Sequence, residues 1–309
     1  DVNSEELVDG KYEITMVTND GTANTAGMKI TGFAGDNSQL FVGKAPSVSG
    51  LTQAQGLQEP KVYMPKMVVR RDGTDLQSTF INVMEPYAAD SSAKITSIEK
   101  LETPNPKDVA VKVIYPSSLF PGRNITDVII SNSNPSVPLT VEDITLNGKM
   151  AFLRYMNDEL VSVYTIEADS IDVNGSTIKG EGKYTGKVIS TLRKAESSAM
   201  DAFIVGTSVP ETAVGKTITI THPDGSVHAF VIKSVTPRGE NTIVEIKDYD
   251  PGINIFEDGT SNLVFFPNTS WEGDHTFNIA MDSYFDTGAI AKRTKQGLTY
   301  YTAAKRSNA

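Results

Sequence analysis

The sequence predicts an all-β protein: an antiparallel β-sandwich followed by a smaller sandwich or barrel-like unit. Three observations carry that expectation. Short runs rich in Val, Ile, Thr and aromatic residues recur along the whole chain. Most of them alternate apolar and polar positions, the period of a half-buried strand. Gly, Asn, Asp or Pro separates them at the spacing of strands and turns. Helical periodicity is scarce, so no helical layer is expected.

The strand signals follow one another in order. KYEITMV, MKITGF, QLFVG and KMVVRR open the series, and STFINVM, DVAVKVIY and TDVIIS continue it. MAFLRYM and LVSVYTI flank Asn157-Asp158, a pair suited to the positive φ angles of a tight hairpin. KTITITH and HAFVIKSV flank Asp224-Gly225 in the same way, and NTIVEIKD and NLVFFP complete the series. One turn or a short helix is expected around Ala195 to Ala202, and another over the C-terminal YYTAAKRSNA. The boundaries read as residues 1–194 for a β-sandwich, 195–285 for a smaller β domain, and 286–309 for a basic tail or linker stub. That tail carries Lys292, Arg293, Lys295, Lys305 and Arg306 against the single acid Asp286.

Composition narrows the functional classes. The 309 residues are 39% hydrophobic and 21% charged, as in a globular protein. No apolar run is long enough for a membrane-spanning helix. The net charge of -10 argues against nucleic acid, which demands a basic surface to displace counterions. An acidic protein can still carry a local basic groove for an anionic polysaccharide. The chain has no cysteine, which removes disulfides, thiolate catalysis and Cys-ligated metals, and fits export in a bacterial setting.

No self-contained catalytic motif is present, and no catalytic residue is assigned. The nucleophile elbow, the phosphate-binding loop and the dinucleotide fingerprint are all missing from the sequence. The three histidines are His222, His228 and His275. His222 and His228 flank the Asp224-Gly225 turn and read as exposed turn residues. Their alternative reading is a pair on adjacent strands that binds zinc with an Asp. His275 follows Asp274 without an identifiable nucleophile. Asp248, Asp250 and Asp258 lie in KDYDPGINIFEDG, and calcium is the cation such an oxygen-rich loop would take. The spacing is not that of an EF-hand.

Sugar rings stack their C–H faces on flat side chains, so aromatics and forked cations are the candidate glycan contacts. Trp271, the single tryptophan, lies in PNTSWEGDH and is one candidate platform; Tyr87 and Tyr155 are others. Arg70 and Arg71 end a strand before Asp72-Gly73, and a guanidinium fork there suits a carboxylate or sulfate. Because adjacent strand residues face opposite sides, only one of the two can address a given partner.

Four segments in order carry a resemblance: KAPSVSG, MPKMVVRRDGTDLQSTFINVMEPY, VKVIYPSSLFPGRNITDVIIS and MAFLRYMNDELVSVYTIEA. Together they resemble the C-terminal β-rich region of large bacterial heparinase II/III-like polysaccharide lyases, over roughly residues 7–192. The matching positions are Arg70, Arg71, Gly73, Ser78, Phe80, Glu85, Pro86 and Tyr87. THPDGSVHAFVIKSV and WEGDHTFNI resemble the module that often follows. In that family an N-terminal helical toroid supplies the Tyr, His and Asn residues of β-elimination, and a histidine comes from an early β strand that here would precede Asp1. The resemblance therefore implies a non-catalytic β region of a secreted or cell-surface polysaccharide-degrading enzyme. Its implied partners are a polysaccharide and the catalytic domain of the same protein. The alternatives are a lyase acting on uronate-containing glycans, and a cell-surface spacer or adhesin.

Overall fold

In the computed structural model, residues 2–17, 26–46, 63–88, 91–247, 249–286, 290–295 and 298–303 are described. The all-β expectation holds: nearly every described element is an antiparallel strand. The chain divides into two compact units. The first comprises Asp1–Ser133, Phe152–Val163 and Asp286–Ala309, and the second Asn134–Ala151 and Tyr164–Phe285.

The first unit opens with β1 (Val2–Glu6), β2 (Lys11–Val17), β3 (Gly27–Phe33), β4 (Ser38–Pro46), β5 (Tyr63–Arg71) and β6 (Ile81–Tyr87). They form two three-stranded sheets, ordered β1-β4-β5 and β2-β3-β6. Alternation decides how these sheets pack. Tyr12, Ile14, Met16, Met28 and Ile30 leave one face of β2-β3 and meet Leu40, Val42, Met67 and Val69 from β4-β5. That is the sandwich core the sequence anticipates. The opposite face of β2-β3-β6 sends Phe33, Ile81 and Val83 against β7 (Ser97–Lys100), β8 (Val109–Pro116) and β9 (Asn124–Ser131). Two glycines are filled from the neighbouring strand: the Tyr12 ring lies across its cross-strand partner Gly32, and the Tyr87 ring across Gly27.

β10 (Leu139–Val141), β11 (Ile144–Met156), β12 (Glu159–Val173) and β13 (Ser176–Lys179) follow, β11 and β12 each contributing to both units. Asn157 (φ 47°) and Asp158 (φ 67°) make the tight turn between β11 and β12 that the sequence predicts.

The rest of the second unit is built on a closed six-stranded barrel. Its strands are β14 (Lys183–Leu192), β15 (Ala202–Val205), β16 (Thr217–Thr221), β17 (Val227–Arg238), β18 (Asn241–Ile246) and β22 (Thr276–Ala280). The order around the barrel is β14-β15-β18-β17-β16-β22. Between β18 and β22 runs a meander of β19 (Ile253–Ile255), β20 (Thr260–Leu263) and β21 (Ser270–Glu272). Val188, Phe203, Ile218, Ile220, Phe230, Ile232, Val244, Phe277 and Ile279 belong to the barrel's buried core. Register shifts at Val188/Ser190 and Ile232/Ser234 are β-bulges, the device that bends strands enough to close a small barrel. β23 (Asp282–Asp286) then pairs with β12.

Three expectations change. The boundary after residue 194 gives way, because β14 lies before it and is a barrel strand pairing with β15 and β22. Of the two alternatives around Ala195, the short helix gives way to a single 3-10 turn, Lys194–Glu196, beside an Arg193 that turns inward to bind Asp250 and Asn254. The C-terminal helix and linker stub are replaced by a hairpin of β24 (Ile290–Lys295) and β25 (Leu298–Ala303); Tyr300 and Tyr301 favour a strand. Lys305 and Arg306 lie outside the described residues.

Candidate functional site

The candidate glycan contacts each have a defined setting in the fold. Trp271 is 6% exposed, so its faces are not offered to a sugar. Its loop folds into β21, which packs the indole against His222 and His275. Tyr87 is half-buried with its ring against Gly27. Tyr155 is half-buried within β11. Arg70 is exposed and held by its near neighbour Asp72 at 2.8 Å. Arg71 points the other way, as strand geometry requires, and donates to the backbone carbonyls of Asp36 and Gln77. These two arginines therefore shape a strand end.

Two acids of the calcium-candidate loop are engaged within the chain. Asp250 forms a two-pronged ion pair with buried Arg193, both contacts 2.7 Å. Asp258 accepts from the backbone and hydroxyl of Thr260 in a turn. Asp248 lies outside the described residues. Among the described residues no cluster of acids and histidines converges as metal ligands would.

Sequence reasoning passed over a surface groove. A groove of about 170 Å³ lies in the first unit, on the face of β2-β3-β6 that carries Phe33 and Ile81. Lys11, Glu13, Lys29 and Thr31 line it, with Val83 and Ile98 beside them. Residues 95–98 form one wall, fixed by the Glu85 carboxylate, which accepts from the backbone N–H groups of Lys94 and Ile95. Lys29 pairs with Glu13 at 3.0 Å across the floor. The Lys11 ammonium stands 5.9 Å over the Phe33 ring, with no carboxylate in ion-pair contact among the described residues. The alternating pattern KYEITMV contains this signal only in part, because β2 meets β3 and β6 through pairings remote in sequence.

A second constellation gathers all three histidines. Ile218 and Ile220 face the barrel interior from β16, and His222 continues that inward column. His275 extends the column of Phe277 and Ile279 on β22. On β17, His228 precedes Phe230 and Ile232 in the same register. Adjacent strands thus bring the rings into one layer. His222 Nδ1 lies 2.7 Å from His275 Nδ1, and His222 Nε2 lies 2.7 Å from His228 Nδ1. His275 Nε2 is 2.8 Å from the Ser261 hydroxyl. Trp271 stacks on His222 with ring centres 4.2 Å apart and planes 4° from parallel. Its indole N–H donates to Asp224 at 2.8 Å.

His222 is therefore 2% exposed, where an exposed turn residue was expected. The zinc alternative, an ion held by His222, His228 and an Asp, finds no such third ligand: Asp224, the acid of the intervening turn, accepts from Ser226 and Trp271, and no three acids or histidines converge among the described residues. Burial and the two neighbouring imidazoles pull the His222 pKa down to about 4. Burial also lowers that of His275. Asp224 is held down at about 2 by its bonds from Ser226 and Trp271.

A Tyr–Arg pair is also present, on β8 and β11. Arg154 grips Asp127 with two contacts of 2.7 and 2.8 Å and donates to the Tyr115 hydroxyl at 3.0 Å. Tyr115 itself donates to Asp127. Burial and that carboxylate push its pKa up to about 12, the wrong direction for a proton-abstracting base. Comparison of the chain with protein-family models, curated proteins and solved structures finds no match.

Proposed function

We propose that the chain is a non-catalytic, glycan-binding β region of a secreted polysaccharide-degrading enzyme, and that the β2-β3-β6 groove takes an acidic sugar. The observation that carries this reading is Lys11, a cation at the groove with no carboxylate in ion-pair contact among the described residues. A uronate carboxylate is its natural counter-charge. The other lining groups suit the rest of a sugar: Thr31 and Glu13 offer hydrogen bonds to ring hydroxyls, and Val83 and Ile98 offer apolar surface to the C–H face. A partly exposed lysine pair contributes modest energy, about 1 kcal/mol per contact, so retention on a polymer would rely on repeated engagement.

Affinity electrophoresis in gels containing alginate, polygalacturonate or a neutral β-glucan tests the reading. Retardation by a uronate polymer is expected, and K11A/K29A should weaken it about thirtyfold, at roughly 1 kcal/mol per lost charge. Retardation by neutral glucan alone, or an unaffected double variant, would remove the groove. Ultraviolet absorbance from an unsaturated uronate product would replace the non-catalytic reading with a lyase. No retardation by any polymer would leave a spacer.

A further inference from the structure

We propose that the histidine layer is an acid-operated latch, which admits one excess proton into a Ser261–His275–His222–His228 chain and lets go of Trp271 on the second. The hydrogen-bond directions supply the argument. The Ser261 hydroxyl donates to the Trp271 carbonyl, so its oxygen must accept from His275 Nε2. His275 Nδ1 is then an acceptor, and His222 Nδ1–H donates to it. His222 Nε2 accepts in turn from His228 Nδ1–H. Three neutral rings are thereby ordered, and the lone pair of His228 Nε2, on the half-buried ring, is the open end.

One more proton fits this chain without breaking a contact. It adds to His228 Nε2. The charge can pass inward as the His228 Nδ1 proton moves to His222 Nε2 and the His222 Nδ1 proton moves to His275 Nδ1. Every nitrogen-to-nitrogen gap still holds one proton. A second excess proton has no such place. It would set two N–H groups head to head across a gap of 2.7 Å, and one ring must leave.

The surroundings offer no counter-charge in contact with the rings. From the β16–β17 turn, Asp224 is the nearest acid, but its oxygens already accept from Ser226 and Trp271. Asp274, beside His275, pairs with Lys187 of β14 at 2.7 Å. β20 and β21 present only Ser261 and Trp271 to the layer. β21 pairs with β20 and lies outside the barrel's own ladder. The stack on His222, the edge contact with His275 and the Ser261–His275 bond hold this hairpin to the ring layer, and the indole N–H on Asp224 ties it to the β16–β17 turn. Loss of the ring-layer contacts leaves that solvent-exposed Asp224 bond as the remaining side-chain hydrogen bond of Trp271, and its release leaves the barrel ladder closed.

Trp271 is the chain's only tryptophan and reports on its own latch. Its emission should be followed with far-ultraviolet circular dichroism on the full chain, from about pH 8 to about pH 4, the range in which histidines titrate. The expected course has two stages. First the emission dims at constant wavelength, as an imidazolium forms against the indole. Then it shifts to the red with a slope steeper than one proton, while the β signal persists. H228Q keeps a donor to His222 but removes the titrating entrance, and should abolish the first stage. Imidazole nitrogen NMR at neutral pH should find Nδ1 protonated in His222 and His228 and Nε2 in His275. A red shift that coincides with loss of the β signal would overturn the proposal, as would a first stage that survives H228Q or the opposite set of tautomers.

Discussion

Trp271 binds through three features of one residue: its ring face on His222, its indole N–H on Asp224, and its backbone carbonyl, which accepts from Ser261. Truncating a buried aromatic leaves a cavity as well as lost contacts. W271A is expected to cost about 3–5 kcal/mol, read from chemical denaturation. W271F keeps a ring over His222 but deserts the Asp224 carboxylate, which is exposed to solvent and can be rehydrated; its cost should be about 1 kcal/mol. A larger loss in W271F than in W271A would show that the stack contributes little. Arg193, immediately after β14, is a comparable residue. It is 4% exposed and joined to Asp250, Asn254 and Glu196. Removing one member of a buried pair leaves an uncompensated charge, so R193A should lower stability by about 3–5 kcal/mol.

Among the elements, β3 shows how a sheet uses glycine. A Cβ on Gly32 would sit 2.0 Å from the Tyr12 ring, and one on Gly27 would sit 2.1 Å from Tyr87. Each tyrosine covers the glycine opposite it and fills the space a side chain would take. G32A must therefore displace the Tyr12 ring and its 2.5 Å bond to Asn82. Overpacking of this kind costs about 1–3 kcal/mol. The denaturation midpoint should fall with an unchanged slope, because the same surface is exposed on unfolding. The β16–β17 hairpin shows the converse, where sequence and element agree. Gly225 takes φ 82° at the turn, Asp224 accepts from Ser226, and His222 and His228 are brought to opposite sides of one short loop.

For the whole molecule, acid acts through these same groups. His222 titrates near 4 in the folded protein and near 6.5 when unfolded. Between those values the unfolded chain binds more protons, so stability falls as pH drops below about 6.5 and the loss is complete below about 4. The shift corresponds to about 3 kcal/mol. Asp224 has a depressed value too, but as an acid it acts lower: its contribution is present above its ordinary 3.8 and is lost as pH falls through about 2. Thermal midpoints measured from about pH 7 to about pH 4 should therefore decline, and H222Q should flatten that decline while lowering the midpoint at neutral pH. An equally steep decline in H222Q would assign the effect to other groups.

Strand positions and turns were legible in the sequence because their causes are local. Alternation in KTITITH and HAFVIKSV, and the turn residues at Asn157-Asp158 and Asp224-Gly225, carry their structure within a few residues. The proximity of His222 to His228 followed from the same hairpin. The tertiary structure alone decided what those strands meet. β14 pairs with β22 from Lys183↔Ala280 onward, a contact spanning nearly a third of the chain, and that closure brings His275 to His222. The groove needs β2, β3, β6 and residues 95–98 together, although no single run announces it. Burial of Trp271 likewise depended on where β21 folds, since a Pro-, Asn- and Gly-rich loop reads as exposed until a neighbouring layer covers it. The physical reason is common to all three: backbone propensity acts over neighbouring residues, whereas pairing and burial are settled by competition among strands distant in sequence.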